Sequence, residues 1–252
     1  MKVFNKYTVL LAGGLMLLSS CNDYLNKEPI DAITPETYLY SEADLGSYAL
    51  EQYNFNTHSG AGLGIWANDN HTDNQATSSY DNRWVPGEWR VKDHYDNASD
   101  DPYYFANIYN CNYFLETVVP RYEKGEISGA DDMVKHYIGE VYFLRAWNYF
   151  SKLKTFGDFP IVKETLPDEK SVLVEASKRQ PRHLVARFIL EDLDKAIELL
   201  SNNPTGGTNR ITKNAAYLVK SRVALYEASW ETYHANTAFV PNGPGYPGPQ
   251  AD

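Results

Sequence analysis

The sequence predicts an all-α fold, and three observations support that class. Apolar residues recur at helical spacing over several long stretches, the clearest being 181–200 and 212–233. Residues that favour helix ends, such as Ser or Thr before a stretch and Gly after one, lie at the expected places. No alternation of apolar and polar residues is long enough to indicate a strand.

The first twenty residues have the layout of a secretory signal. Two lysines precede the uncharged run 9–18, whose ten residues would rise only about 15 Å as a helix, about half of a bilayer core. The run ends in Leu18-Ser19-Ser20-Cys21, which resembles a bacterial lipobox. We therefore expect residues 1–20 to be removed and Cys21 to carry a lipid anchor. The alternative is a buried N-terminal helix with a chance cysteine.

Helical stretches follow in order. The spacing predicts helices over about 41–54, 102–119 and 131–156. The third should end at its last residue because Gly157 is the type expected directly after a helix. Its centre, 141–150, is apolar on nearly every side, which is typical of a helix buried among others.

The last two helices should form an antiparallel hairpin. Helical spacing at 181–200 and 212–233 flanks a Pro- and Gly-containing connection, which gives a unit of about repeat length. Residues 238–252 are rich in Gly and Pro and are predicted to be coil.

A long aperiodic segment, 59–101, carries the candidate ligand contacts. It holds three of the five tryptophans, and tryptophan argues against disorder. Aromatic rings can stack on the C–H faces of sugars, while amides and charged groups bind hydroxyls. The alternative is that the tryptophans anchor the segment onto the helices or contact a protein partner. The candidate contacts are Trp66, Asn68, Asp73, Tyr80, Arg83, Trp84 and Trp89.

Composition and motifs exclude several functional classes. The chain has 23 basic and 33 acidic residues, a net charge of −10, which disfavours nucleic acid as a partner. Histidine spacing matches no metal motif, the Asp/Asn run at 69–74 lacks the glycine of a calcium-binding EF-hand loop, and no cofactor fingerprint occurs. We therefore expect neither a metal nor a cofactor. Cys111 lies among apolar residues at helical spacing, so we expect a buried, unreactive thiol.

The apolar centre of the third helix contains one charged residue, Arg145. A buried guanidinium must be paired, so we expect an ion pair with a carboxylate from another helix. We expect the neighbouring aromatic residues to pack in the core. We also assign structural roles to Gly157 and Asp158, at the end of the helix. The aromatic residues are Tyr142, Phe143, Trp147, Tyr149 and Phe150.

Four stretches together resemble the SusD/RagB family of outer-membrane glycan-binding lipoproteins. They occur in the family's order across residues 21–230. They are CNDYLNKEP (21–29), YFLRAWNYF (142–150) with FGDFPIV (156–162), ILEDLDKAI (189–197), and RITK leading to SRVALY (210–226).

The resemblance implies a superhelix of tetratricopeptide-like helix pairs that carries long variable loops. It also implies a non-catalytic, lipid-anchored protein on the outer surface of the outer membrane. Such a protein would bind oligosaccharides and act with a SusC-type TonB-dependent barrel transporter in nutrient uptake. Family members are about twice as long as this chain, so 21–252 is expected to be the N-terminal region of a larger protein.

Two other functions remain open at this stage. The helix pairs could form a protein-interaction scaffold of the transporter complex with no ligand site of their own. A lipid-anchored glycoside hydrolase would need two carboxylates, but no acidic residue lies in the apolar setting that would raise its pKa.

Overall fold

The computed structural model describes residues 38–55, 104–204, 209–246 and 248. By backbone contacts the chain divides into two units, Met1–Tyr38 and Leu39–Asp252. Every helix described below belongs to the second unit.

Six helices make up the described part of the chain, together with two isolated β-bridges, Ser41 with Ser128 and Phe159 with Gln180. The all-α prediction is therefore confirmed over these residues. The helices are α1 (Glu42–Glu51), α2 (Ala106–Glu123), α3 (Asp131–Phe156), α4 (Lys170–Ala176), α5 (Arg182–Leu199) and α6 (Lys213–Tyr233).

Local chemistry fixes the helix ends. Ser41 and Asp44 form a capping box at the start of α1, with both hydrogen bonds at 3.2 Å. Thr212 caps α6 by accepting a hydrogen bond from the N–H of Ala215. Gly157 ends α3 with a φ of 71°, a conformation that favours glycine, as the sequence predicts.

Helix α3 is the centre of the fold. It packs against α1, α2 and α5, and α6 packs in turn against α5 as the expected helical hairpin. Fifteen of its 26 residues are buried, on all sides of the helix, because neighbours surround it. The largest fully buried side chains around it include Phe114, Tyr149, Phe159, Ile189 and Leu193.

Two helices differ from what the sequence predicts. Helix α2 begins at Ala106 and runs through Pro120 to Glu123, where a stop near Val119 is predicted. Because proline has no N–H, Pro120 cannot donate to the carbonyl four residues before it, and the helix continues for three residues beyond Pro120 without that bond. Helix α4 is not predicted, since seven residues are too short to show a period.

The Gly/Pro-rich end has no helix or strand over 238–246, in line with the predicted coil, but it is packed onto the helices. Val240 and Tyr246 are buried, and the Tyr246 hydroxyl donates to Asp158 Oδ2 at 3.0 Å. This coil therefore covers the end of α3.

Candidate functional site

The predicted ligand contacts and the predicted lipid attachment lie outside the described residues. They are Cys21, Trp66, Asn68, Asp73, Tyr80, Arg83, Trp84 and Trp89. The 69–74 run considered for calcium lies outside them as well. The structure does describe the residues that flank the aperiodic segment, Phe55 before it and Phe105 after it, and we call their surroundings the first and second junctions.

The first junction is an aromatic cluster of Tyr53, Phe55, Phe143 and Trp147. The Phe55 ring lies 5.5 Å from that of Trp147, at an interplanar angle of 70°, and 6.4 Å from that of Phe143. Phe143 and Trp147 stack at 6.4 Å and 8°. The prediction of core packing holds for Phe143, whereas Trp147 is only half-buried.

A buried polar network holds this junction in place. The Tyr53 hydroxyl donates to Glu140 Oε1 at 2.7 Å and accepts from the N–H of Ile211 at 3.0 Å. Arg210 pairs with the fully buried Glu140, its Nε lying 2.9 Å from Oε1. Burial, reinforced by Glu140, raises the pKa of Tyr53 well above its usual range. The network therefore ties α3 to the end of α1 and to the start of α6.

His136 completes the same network as a neutral ring. The N–H of Ser201 donates to His136 Nδ1 at 3.1 Å, so the proton must lie on Nε2, which donates to Glu140 Oε1 at 3.2 Å. Sequence reasoning assigned no role to Glu140 or His136. Their i, i+4 spacing on the buried helix was the available signal.

The second junction is an apolar groove of about 320 Å³ between α2, α4 and the extended segment after α3. The ring of Phe105 lines the groove and stacks on the ring of Phe159, with ring centroids 5.2 Å apart and an interplanar angle of 11°. Tyr109 is 51% exposed at the groove. Other lining residues are Ile108, Asn112, Pro160, Val162, Glu164, Leu166 and Leu173.

Among the polar residues that line the groove, Asn112 is fully occupied by the protein. Its amide donates to the carbonyls of Val162 at 2.9 Å and Glu164 at 3.2 Å, and its oxygen accepts from Arg145 Nη1 at 2.9 Å. The described groove therefore offers mainly apolar surface, and its amide side chain, Asn112, is already used by the protein. Such a surface suits stacking, and hydroxyl groups of a ligand would need partners from elsewhere.

Beneath the groove, Arg145 forms the ion pair that its sequence position leads us to expect. Its Nε lies 2.8 Å from Asp192 Oδ2 and its Nη2 lies 2.7 Å from Oδ1, with both side chains buried. The fork geometry satisfies the guanidinium without any ligand. The role of Arg145 is thus to join α3 to α5 and to position Asn112.

The end of α3 is also structural. Asp158 Oδ1 accepts the N–H of Arg182 at 2.9 Å, at the first turn of α5. Sequence reasoning missed a further buried ion pair there, in which Arg182 contacts Glu227 through two hydrogen bonds of 2.8 Å. The glutamate stands on an apolar side of its helix, which is the signal that could have revealed it.

Groups that could carry out chemistry are scarce in the described part. Cys111 is buried, as predicted, and burial raises the pKa of its thiol to about 12 despite the nearby Arg145, so it is a poor nucleophile. Within residues 38–55, 104–204 and 209–246, no group of three or more His, Cys, Asp or Glu residues could hold a metal ion. Over the same residues, no helix combines the length and apolar character that crossing a membrane requires.

Comparisons with known proteins agree on one family. The family model described as "Starch-binding associating with outer membrane", a SusD-like family, matches residues 23–225. SusD-like protein P25 and SusD-like protein P2 of Formosa agariphila are each 25% identical to the chain, over 227 and 217 residues. These matches cover 84% and 77% of this chain but 41% and 38% of the relatives.

A solved structure shows the same fold. A SusD-like protein from Bacteroides fragilis matches with a TM-score of 0.56 and 27% identity, over 81% of this chain and 39% of that one. The chain therefore spans about two fifths of the length of the relatives it matches.

Proposed function

This chain belongs to the SusD-like family, and from that premise we propose that it is a non-catalytic glycan-binding lipoprotein of the cell surface. It would act with a SusC-type TonB-dependent transporter of the outer membrane in the uptake of oligosaccharides. The observation that carries the proposal is the family match over residues 23–225, which spans most of the chain. The scarcity of activated groups in the described residues is compatible with binding rather than catalysis.

We assign glycan contact to the segment between the two aromatic junctions. Phe55, four residues before the segment, packs against Trp147, and Phe105, four residues after it, stacks on Phe159. The groove beside Phe105 supplies apolar surface, and the amide of Asn112 in that groove is already hydrogen-bonded within the protein. The segment itself carries the amide, carboxylate, guanidinium and indole groups that sugars require.

Tryptophan fluorescence tests this assignment. We expect maltoheptaose, a starch-derived oligosaccharide, or another glycan of a matched panel to quench the emission. Single Trp66→Ala, Trp84→Ala and Trp89→Ala variants should weaken binding by about tenfold or more where a stacked ring is lost. Trp147→Ala serves as the control because its ring packs on Phe143 and Phe55. Quenching that survives in all three segment variants would disprove the site while leaving glycan binding intact.

Membrane attachment is assigned to a lipid on Cys21. The Cys21→Ala variant should be released from the membrane fraction as a soluble protein. Retention of that variant in the outer membrane would contradict the lipoprotein proposal.

The second candidate function, a scaffold without its own ligand, is favoured by one observation. Helix α6 exposes several large apolar side chains, including Leu218 and Leu225. Co-purification with a barrel transporter and no response to any glycan would support the scaffold. Release of sugar products from a polysaccharide would instead support the hydrolase.

A further inference from the structure

The apolar groove at the second junction has a wall that the protein holds in place without a ligand. This wall is the extended chain around Val162 and Thr165. Asn112 and Glu116 of α2 bind it through the carbonyl of Val162 at 2.9 Å and the N–H of Thr165 at 2.8 Å. The N–H of Val162 also donates to the Tyr149 hydroxyl at 2.9 Å. A groove whose wall is fixed in advance loses little conformational entropy when a ligand occupies it.

The lining of the groove favours an apolar group over a sugar ring. Most of the lining side chains are apolar, and the amide among them, Asn112, is used through both its nitrogen and its oxygen. A sugar ring placed against these side chains would bury hydroxyl groups without partners, which is costly. An apolar group avoids that cost and gains free energy by leaving water. The volume of about 320 Å³ is at the lower end for a small-molecule site, so the groove suits one substituent of a larger ligand.

Two aromatic side chains at the groove favour a flat ring as the occupant. Phe105 and Tyr109 are one helical turn apart, and the N–H of Tyr109 donates to the carbonyl of Phe105 at 2.8 Å. The Tyr109 ring is half exposed, and the Phe105 ring is already stacked on that of Phe159. Aromatic rings attract other rings through offset and edge-on contacts that an alkyl chain cannot make. The lining therefore favours an aromatic group over a flexible chain.

The charge at the groove favours a neutral occupant. Glu164 lines the groove with an exposed side chain, and its carboxylate makes no hydrogen bond or ion pair with the described residues. This negative charge, on a chain of net charge −10, repels a ligand that carries a carboxylate of its own. Free fatty acids and free aromatic acids are therefore disfavoured.

We propose that the groove binds a neutral aromatic substituent carried on a sugar oxygen of a glycan. The inference rests on the proposed function, because the sugar units themselves would contact the segment 59–101. Phe105 follows that segment by four residues, so the groove adjoins it along the chain. The ligand class narrows to glycans decorated with aromatic groups, whose hydroxyls bind the segment while the aromatic ring binds the groove.

Titrations followed by ligand-observed NMR test the preference of the groove. They compare phenyl, hexyl and methyl β-D-glucoside, in which the same sugar serves as a soluble carrier for three different groups. The phenyl compound should bind the 252-residue chain about tenfold or more tightly than the methyl compound, because the ring buries apolar surface. It should also bind more tightly than the hexyl compound. Equal affinities for the phenyl and methyl compounds would overturn the inference. Tighter binding of the hexyl compound would do so too, because the occupant would then be an alkyl chain.

Two pairs of variants locate the binding of the ring. Leu173→Asp on α4 should remove the advantage of the phenyl group, because a charge would replace an apolar part of the lining. The matched control is Val174→Asp, at the next residue, which is exposed outside the groove and should keep the advantage. Tyr109→Ala should also reduce it, with Tyr217→Ala, at a similarly exposed tyrosine on α6, as the control. A phenyl advantage that survives both groove variants would overturn the inference.

Three further outcomes separate this inference from the proposed function and from other occupants. If unmodified glycans bind but the phenyl group adds no affinity, the inference fails and glycan binding stands. If benzyl alcohol, which carries no sugar, binds only when Leu173 is intact and no glycan binds, the preference of the groove for an aromatic ring stands and the glycan function fails. A dimer of the chain that Leu173→Asp dissociates would overturn the inference, since a second copy would then fill the groove.

Discussion

Arg145 on α3 and Asp192 on α5 form a buried, two-point ion pair, with Nε–Oδ2 and Nη2–Oδ1 distances of 2.8 and 2.7 Å. The same guanidinium holds Asn112 of α2 at 2.9 Å. Three helices therefore meet at one charged group, directly beneath the groove at the second junction. Correct placement of this groove depends on the pair.

Asp192→Asn should destabilise the protein strongly. The change leaves a buried guanidinium without its countercharge, which typically costs about 3–5 kcal/mol in the free energy of unfolding. Chemical denaturation measures this cost. The matched control is Asp194→Asn on the same helix, where an exposed pair with Lys220 should contribute less than about 1 kcal/mol. Equal losses in the two variants would show that the buried pair has no special role.

Gly139→Ala should also destabilise the fold, because α3 and the end of α5 approach closely there. An added Cβ would lie 3.0 Å from Leu199 Cβ and 3.1 Å from the backbone nitrogen of Leu200. Overpacking of this kind costs about 1–3 kcal/mol. The control is Gly46→Ala, where the added Cβ meets the movable end of the Tyr137 side chain at 2.9 Å. Both variants gain about 1 kcal/mol in helix propensity, but only at Gly46 can the clashing side chain move aside. A larger loss for Gly46→Ala would contradict this interpretation.

Alkaline pH should lower stability through Tyr149. Burial raises the pKa of its hydroxyl to about 12, although the N–H of Val162 hydrogen-bonds to it at 2.9 Å. Below pH 10 the hydroxyl is protonated in both the folded and unfolded states, and its contribution is complete. Between pH 10 and 12 the unfolded state ionises first, so the free energy of unfolding falls by about 1.4 kcal/mol per pH unit from this group.

Denaturation curves of the wild type and Tyr149→Phe across pH 9 to 12 check this effect. The variant should be less stable at neutral pH, because it leaves the N–H of Val162 without its partner, and it should lose stability less steeply above pH 10. Parallel slopes for the two proteins would rule out Tyr149 as a source of the pH dependence.

The scaffold could largely be predicted because its signals are local. The bounds of α3 follow from a helix that is apolar on all sides and from Gly157 directly after it. Burial alone predicts that Arg145 is paired. Its partner cannot be predicted in this way, because Asp192 lies 47 residues further along the chain and only the packing of α3 on α5 brings the two together.

Surface exposure was less predictable, because it depends on which neighbours are present. On α6 the small Ala216 is buried and the larger Leu218 is exposed, the reverse of what hydrophobicity alone favours. Trp147 and Tyr142 lie in α3, the helix at the centre of the fold, yet are only half-buried. The predicted contacts Trp66, Trp84 and Trp89 lie outside the described residues and stay predictions.

Affinity electrophoresis under native conditions tests the central claim, glycan binding, most directly. The folded chain is run through gels containing starch and a panel of other soluble polysaccharides, beside a non-binding reference protein. The account predicts that at least one polysaccharide retards the chain relative to the reference and that no sugar is released from it. Unchanged mobility in every gel, with circular dichroism showing a folded helical protein, would contradict the account.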